Sequence, residues 1–434
     1  MITLYDKKLI IMSNKILNSY FFLLFSFIPI SIIVGPAVSL INILLIDFSF
    51  IFLILYKRDF NFFSNKTVKF IIFLCLYLIF NSIIAKDFSM SAYRNFGFIR
   101  FGILFLAFNY FFYNKDFVNR VLVIWAITLS FLSLDAFLES ISGTNILGYG
   151  EAYGARIVSF FKDEPIVGGY INSFYLIIIG YLFYLSNNIS NRYKYIILIF
   201  SIFFITAIVL TGERSNAIKA VLGFFLFYFF NDLFKFKEKI ILILLLVTLL
   251  GIIISKSDYL NLRYQGQFLD KIKNTIMVKK EIKKSENTLE NTTYYELYKS
   301  SFLVFKNNQF FGVGNKNYRI ETCSTSVQKK TFYVCNTHPH QIYFEFLAEH
   351  GLIGSFILFF ILFYLIFSKI KTILSSKNYI QYGCVIFLTI SFTPFLPSGA
   401  FFSDYNQTIF WINLSIMYSV NKKTNIFTID NNYT

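Results

Sequence analysis

Charge and histidine are both scarce in this chain. Only 15% of its 434 residues are Asp, Glu, Lys or Arg, while 56% are hydrophobic. A soluble core of this length could not bury so much apolar surface, which excludes a water-soluble globular protein. The apolar runs lack the period-two alternation of an outer-membrane barrel. Neither HExxH nor CxxC occurs, so the commonest zinc patterns are missing. No internal repeat of solenoid period is present.

What is there, including 58 Phe and 30 Tyr, comes in runs of the ~20 residues needed to cross a bilayer as helix. Twelve runs are counted, near 18–36, 38–56, 68–86, 96–113, 119–138, 167–186, 195–211, 215–233, 240–255, 345–367, 379–396 and 404–420. The expected fold is all-α and polytopic. The basic first segment resembles a signal peptide, but no small-residue cleavage site follows, so an uncleaved first span is expected.

The net charge of +16 does not imply nucleic acid, because basic residues gather at every second junction. They are Lys7, Lys8 and Lys15; Lys57, Arg58, Lys66 and Lys69; Lys115 and Arg120; Arg192 and Lys194. The pattern continues with Lys235, Lys237 and Lys239, then Lys369, Lys371 and Lys377, then Lys422 and Lys423. The positive-inside rule then puts both termini in the cytoplasm, and the excess charge meets anionic membrane lipid. The expected organisation is spans 1–9 over residues 1–255, one large external loop over 256–344, and spans 10–12 with a short cytoplasmic tail over 345–434. Lysines in so long a loop do not oppose this topology. Cys75 and Cys384 fall inside spans. Cys323 and Cys335 share the external loop, where they are either a disulfide or two free thiols.

All 3 histidines lie between positions 338 and 350. Thr337 or His338 can cap a helix, Pro339 suits its first turn, and Ile342, Tyr343, Phe346 and Leu347 recur at helical spacing. This puts His340 in the first turn, where the positive dipole end favours a neutral imidazole beside a docked anion. Neutral His340 could act as general base. Gln341, Glu345 and Glu349 follow at spacing four as a polar stripe, either supporting the site or forming a solvated helix face. His338, His340, His350 and Cys335 are permitted zinc ligands, but their spacing fits no known pattern, and no metal or other cofactor is expected.

Only nine arginines occur, and Arg94, Arg156, Arg214, Arg263 and Arg319 fall on the expected external side. Arg214, in Thr211-Gly212-Glu213-Arg214, occupies a short turn at membrane depth, where a charge needs a partner or a task. Its bland partner is Glu213, as a local ion pair. Arg263 follows span nine closely. Two guanidinium forks near a helix N-terminus make a pyrophosphate clamp, with Arg156 and Arg319 as further candidates.

The run His340-Gln341, nine residues, Gly351, two residues, Gly354 resembles the signature of the bacterial O-antigen ligase and polymerase superfamily. Phe311-Gly312-Val313-Gly314, the Thr211 to Arg214 turn, and the Arg156 to Tyr170 stretch with Pro165 and Gly168-Gly169 resemble its other motifs. The twelve-span layout with one large periplasmic loop is similar too. The resemblance implies an essential active-site histidine at His340 and phosphate-binding arginines at Arg214 and, by position, Arg263. It implies a metal-independent glycosyltransferase of the inner membrane with its active site on the periplasmic side; one candidate base and no obvious covalent nucleophile point to direct displacement with inversion of the anomeric centre. The donor would be an undecaprenyl-pyrophosphate-linked glycan.

Three functions compete at this stage. An O-antigen ligase would use the lipid A core as acceptor, and its place is lipopolysaccharide biosynthesis. A polysaccharide polymerase would use a second lipid-linked glycan. A secondary transporter would need two related halves and intramembrane acids, for which Asp47 and Asp135 are the best residues; the ligase is favoured.

Overall fold

The computed structural model describes residues 4–150, 156–162, 164–186, 192–281, 292–324 and 333–428. Its first half is a series of apolar helices: α1 (Leu4–Val34), α2 (Pro36–Lys57), α3 (Lys66–Ile83), α4 (Phe88–Gly97), α5 (Ile99–Phe111) and α6 (Lys115–Ser142). Then come α7 (Val167–Ser186), α8 (Arg192–Leu210), α9 (Arg214–Phe229) and α10 (Phe236–Lys256). No strand occurs among the described residues.

Short polar residues set several of the helix starts. Asn65, Asp87 and Asn114 accept hydrogen bonds from the free first-turn amides of α3, α4 and α6, as capping requires. Within the bundle, α7 is the inner helix, packed on α6, α8 and α9. Lipid offers no hydrophobic drive between helices, so packing and interhelical hydrogen bonds hold them, the bonds at about 0.6 kcal/mol each. Tyr175 Oη donates to Ala220 O of α9 at 2.6 Å, and Tyr170 Oη to Pro29 O of α1 at 3.0 Å. By contrast α10 leaves Ile241, Leu244, Leu245 and Val247 exposed, a surface suited to acyl chains.

The segment after α10 forms short helices: α11 (Asp258–Asn261), a π-helical stretch (Leu262–Leu269), α12 (Asp270–Glu281), α13 (Thr293–Asn307) and α14 (Tyr318–Cys323). Cys323 and Cys335 are disulfide-bonded, with Cα atoms 4.5 Å apart. A small separate core of Val304, Val313, Tyr318, Tyr333 and Ala348 joins this segment to α15 (Ile342–Phe367). The chain closes with α16 (Ile370–Ser376), α17 (Tyr379–Ser391) and α18 (Asp404–Ser419).

Helix α15 is broken at Gly351, whose φ of 64° and ψ of −168° leave the helical region. The Phe310–Gly314 strip laces into the break: Val313 N donates to Ala348 O and Ile353 N to Phe310 O, at 3.0 and 3.1 Å. A Cβ on Gly351 would lie 2.4 Å from the Phe310 carbonyl group, so the position needs glycine both for φ and for space.

Among the described residues, eight helices are by length and composition long and apolar enough to cross a bilayer, against the twelve expected runs. The expected runs at 96–113, 215–233, 379–396 and 404–420 fall on α5, α9, α17 and α18, of 13, 16, 13 and 16 residues. At 1.5 Å per residue these are about 20–24 Å long, under the ~30 Å of hydrocarbon. Three of them stop where their ends line a polar cavity: α9 at Arg214, α17 at Ser391 and α18 near Tyr405.

The two ends of the bundle differ. At one, the basic junctions meet: Lys377 pairs with Asp232 at 2.9 Å, and Lys194 lies 4.0 Å from Glu238. At the other, the N-termini of α7, α9, α15 and α18 and the C-terminus of α17 contribute to the cavity.

Candidate functional site: a cationic cavity

The cavity encloses about 1250 Å³. Among the described residues, six cationic side chains line it, Arg156, Arg214, Lys219, Arg263, Lys271 and Lys316, against the carboxylates of Glu164 and Glu213. His338 and His340 complete its polar wall. The positive dipole ends of four helices add to this field, so the site suits an anion.

One wall is built on the turn between α8 and α9. Gly212 has φ 70°, and a Cβ there would sit 2.6 Å from Tyr259 Oη, so the turn closes only with glycine. Its carbonyl accepts Arg263 Nε at 3.2 Å and Nη2 at 3.1 Å, while Arg263 Nη1 donates to Gln267 Oε1 at 3.0 Å. The wide π-helical turn carries Arg263 and Gln267 together, a geometry frequent at functional sites. Arg214 Nη1 donates to Gln267 O at 2.9 Å. The two arginines therefore share one frame. A guanidinium has five N–H donors; Arg263 uses three on this frame and Arg214 one.

Glu213 is not the partner of Arg214. Its carboxylate accepts from Gly168 N at 2.7 Å, Gly169 N at 3.1 Å and Asn216 Nδ2 at 2.7 Å, and so caps α7. No ion pair joins Glu213 to Arg214 among the described residues. The expected local ion pair is thus replaced by an N-terminal cap, because two free amides compete better for the buried carboxylate. Burial, then the nearby charge of Arg263, lowers the pKa of Arg214. Like charges held this close are stabilised by an anion between them.

The opposite wall carries the histidines. His340 precedes the helix instead of entering its first turn. Gln341 is the N-cap of α15, its Oε1 accepting from Tyr343 N at 2.7 Å and Phe344 N at 3.0 Å. Neither Thr337 nor His338 caps the helix; the longer Gln341 side chain reaches the amides itself. His340 has φ 57°, and its carbonyl accepts from Ser398 N at 2.8 Å. Its ring stands edge-on to Tyr294, centroids 6.0 Å apart, and lies 4.0 Å from the His338 ring. Burial lowers the pKa of His340 from 6.5, and burial, then the neighbouring His340 and Lys316, brings His338 to about 3. Both imidazoles are neutral at pH 7.

Several expected site residues lie elsewhere. Gln341 is spent on the helix cap. Both Glu345 carboxylate oxygens accept from Phe401 N, and Glu349 Oε1 accepts from Tyr318 N. These two acids are buried and line no part of the cavity; they tie the α17–α18 loop and α14 to α15. The polar stripe therefore faces protein, and the solvated-face reading fails. Arg319 is exposed on α14 and stays outside the cavity. Arg94 pairs with Asp404 at 2.6 Å. His350 is buried and contacts Tyr77 Oη through Nδ1 at 3.0 Å. Asp135 accepts from Ile146 N at 3.0 Å, closing the loop after α6.

Other cavity residues escaped the sequence reading. Lys316, Lys219, Tyr294 and Tyr298 all line the cavity. Lys219 could have been found, since a lysine inside an apolar run five residues after Arg214 demands a reason.

Comparison with protein families matches residues 199–360 to a family described as O-antigen ligase. That match supports a likeness to the O-antigen ligase and polymerase superfamily. Comparison with curated proteins finds no match. Within the O-antigen ligase match fall Arg214, Arg263, Lys316, His338 and His340, five of the cavity's polar residues, together with Gly351 at the helix break. The superfamily implies a membrane enzyme of glycosyltransferase type acting on lipid-linked glycans.

Proposed function

We propose that the protein is an O-antigen ligase. It moves a glycan from undecaprenyl pyrophosphate to a hydroxyl of the lipid A core, at the periplasmic face of the bacterial inner membrane. The reading puts both termini in the cytoplasm and residues 256–344 in the periplasmic loop. The observation that carries it is the shared frame of Arg214 and Arg263 in one cavity with neutral His340.

The donor already holds a good leaving group, so the protein's task is to grip a diphosphate and accept one proton. Arg214, with four N–H donors left, takes the diphosphate, and Arg263 keeps Arg214 aimed. The acceptor O–H proton passes to His340, the acceptor oxygen bonds the anomeric carbon, and the carbon–oxygen bond to phosphate breaks. Its electron pair leaves with undecaprenyl pyrophosphate. A single displacement inverts the anomeric centre and needs no metal. Isoprenoid chains fit the apolar faces of the outer helices.

The test is gene deletion with analysis of surface and lipid-linked glycan. Loss of polymer from the core, with lipid-linked polymer accumulating, is expected. A single repeat left on the core would replace the ligase with a polymerase whose acceptor is a second lipid-linked glycan. Unchanged glycan would remove both.

A further inference from the structure

Lys316 is held in the cavity wall in a backbone conformation that lysine does not favour. Its φ is 64°, in the left-handed region that costs a non-glycine residue about 1–2 kcal/mol. Such a conformation persists only when its neighbours dictate it. Here they do: Asn315 and Asn317, on either side, are fully buried. Asn315 N donates to Asn81 Oδ1 of α3 at 2.8 Å, and Asn315 Nδ2 donates to Asn95 Oδ1 of α4. Asn317 Oδ1 accepts from Asp87 N at 2.6 Å, and Asn317 Nδ2 donates to Asp87 O at 3.2 Å. Lys86 N donates to Val313 O at 3.0 Å just upstream.

This network clamps the loop to α3 and α4 and leaves the residue between the two asparagines facing the cavity. The Lys316 ammonium forms no ion pair within 4.0 Å among the described residues. Its charge is felt by His338 on the histidine wall and by the buried Glu345 and Glu349, whereas Arg214 feels Arg263 and Arg156.

We propose that Lys316 is a second oxyanion-binding point of the cavity, presented beside His338 and His340 by the buried Asn315–Asn317 clamp, and that it binds a phosphate or carboxylate of a substrate. This rests on the transferase reading and extends it, since nothing in that reading requires a cation on the histidine side. The anion has two sources, the diphosphate of the donor or an acidic group on the acceptor. The two acids that feel the Lys316 charge, Glu345 and Glu349, are buried outside the cavity and bonded to Phe401 N and Tyr318 N, and neither comes within 4.0 Å of the ammonium, so the cavity side of the cation is open to a substrate anion.

The experiment uses the purified full chain and two variants. Lys316→Gly removes the charge and accepts the left-handed backbone; Lys316→Arg keeps the charge. Three quantities are measured: thermal stability, affinity for undecaprenyl pyrophosphate as probe, and the acceptor dependence of transfer. The expected result is that Lys316→Gly melts no lower than the wild type yet loses at least 10-fold in transfer, while Lys316→Arg keeps most of it. Weakened probe binding by Lys316→Gly assigns the anion to the donor, and a raised acceptor KM with intact probe binding assigns it to the acceptor. Lys316→Gly with unchanged probe binding and unchanged KM overturns the proposal but leaves the transferase reading standing. Wild-type protein that neither binds the probe nor transfers glycan overturns both.

Discussion

Arg214 and Arg263 meet through one residue: Gln267 accepts Arg214 Nη1 on its backbone oxygen and Arg263 Nη1 on its side-chain oxygen, at 2.9 and 3.0 Å. The arginine with more free donors should be the more sensitive. Arg214→Lys is expected to lower glycan transfer by about 100-fold, the usual loss for a removed charge-stabilising donor, because an ammonium does not replace a fork. Arg263→Lys should cost less in transfer and more in thermal stability. In vitro transfer and melting of both variants check this; equal wild-type rates would take the frame out of catalysis.

His340→Ala should abolish transfer while the protein still inserts and folds, whereas His338→Ala should lose less. A glycan profile of complemented deletion strains, with membrane levels checked by immunoblot, separates the two. Normal transfer by His340→Ala would remove the general base.

The pH dependence follows from the lowered histidine pKa values. His340 accepts a proton only when neutral, and its folded pKa lies below 6.5. Activity should therefore be level through pH 7 and fall as pH drops below 6.5. His338, at about 3 in the folded protein, binds its proton more readily when unfolded, so stability should also decline from about pH 6.5 downward. The measurement is kcat/KM and melting temperature from pH 4 to 8; an acid limb centred above 6.5 would contradict this environment for His340.

Gly351→Ala should be destabilising, by about 1–3 kcal/mol from backbone strain alone, with more from the clash with Phe310. Gly212→Ala should act similarly and also displace the acceptor of Arg263. Thermal melts in detergent test both, and wild-type stability of either would count against the close contacts.

Much of the site was legible in the residues because each chemical need has few solutions. An arginine at membrane depth, a histidine ahead of an apolar run and glycines at fixed offsets have narrow physical meanings, so Arg214, Arg263, Arg156, His338 and His340 were named and share one cavity. Glu345, Glu349 and Arg319 lie outside the cavity lining, because helical spacing gives a face and not what covers it. Lys316 was hidden because its significance lies in what Asn315 and Asn317 hold, residues more than 200 positions away.

The amino-acid order alone determined that this is an all-helical membrane protein with a cationic, histidine-bearing polar segment, since hydropathy and rare ionisable residues are local properties. Tertiary structure decided which helices are shorter than the hydrocarbon thickness, that Glu213 caps α7 instead of pairing with Arg214, and that Gln341 displaces His340 from the helix. The fate of Glu213 depends on Gly168 and Gly169, more than 40 positions back in the chain, and that of Gln341 on which side chain reaches the first free amides; only the folded arrangement settles either competition.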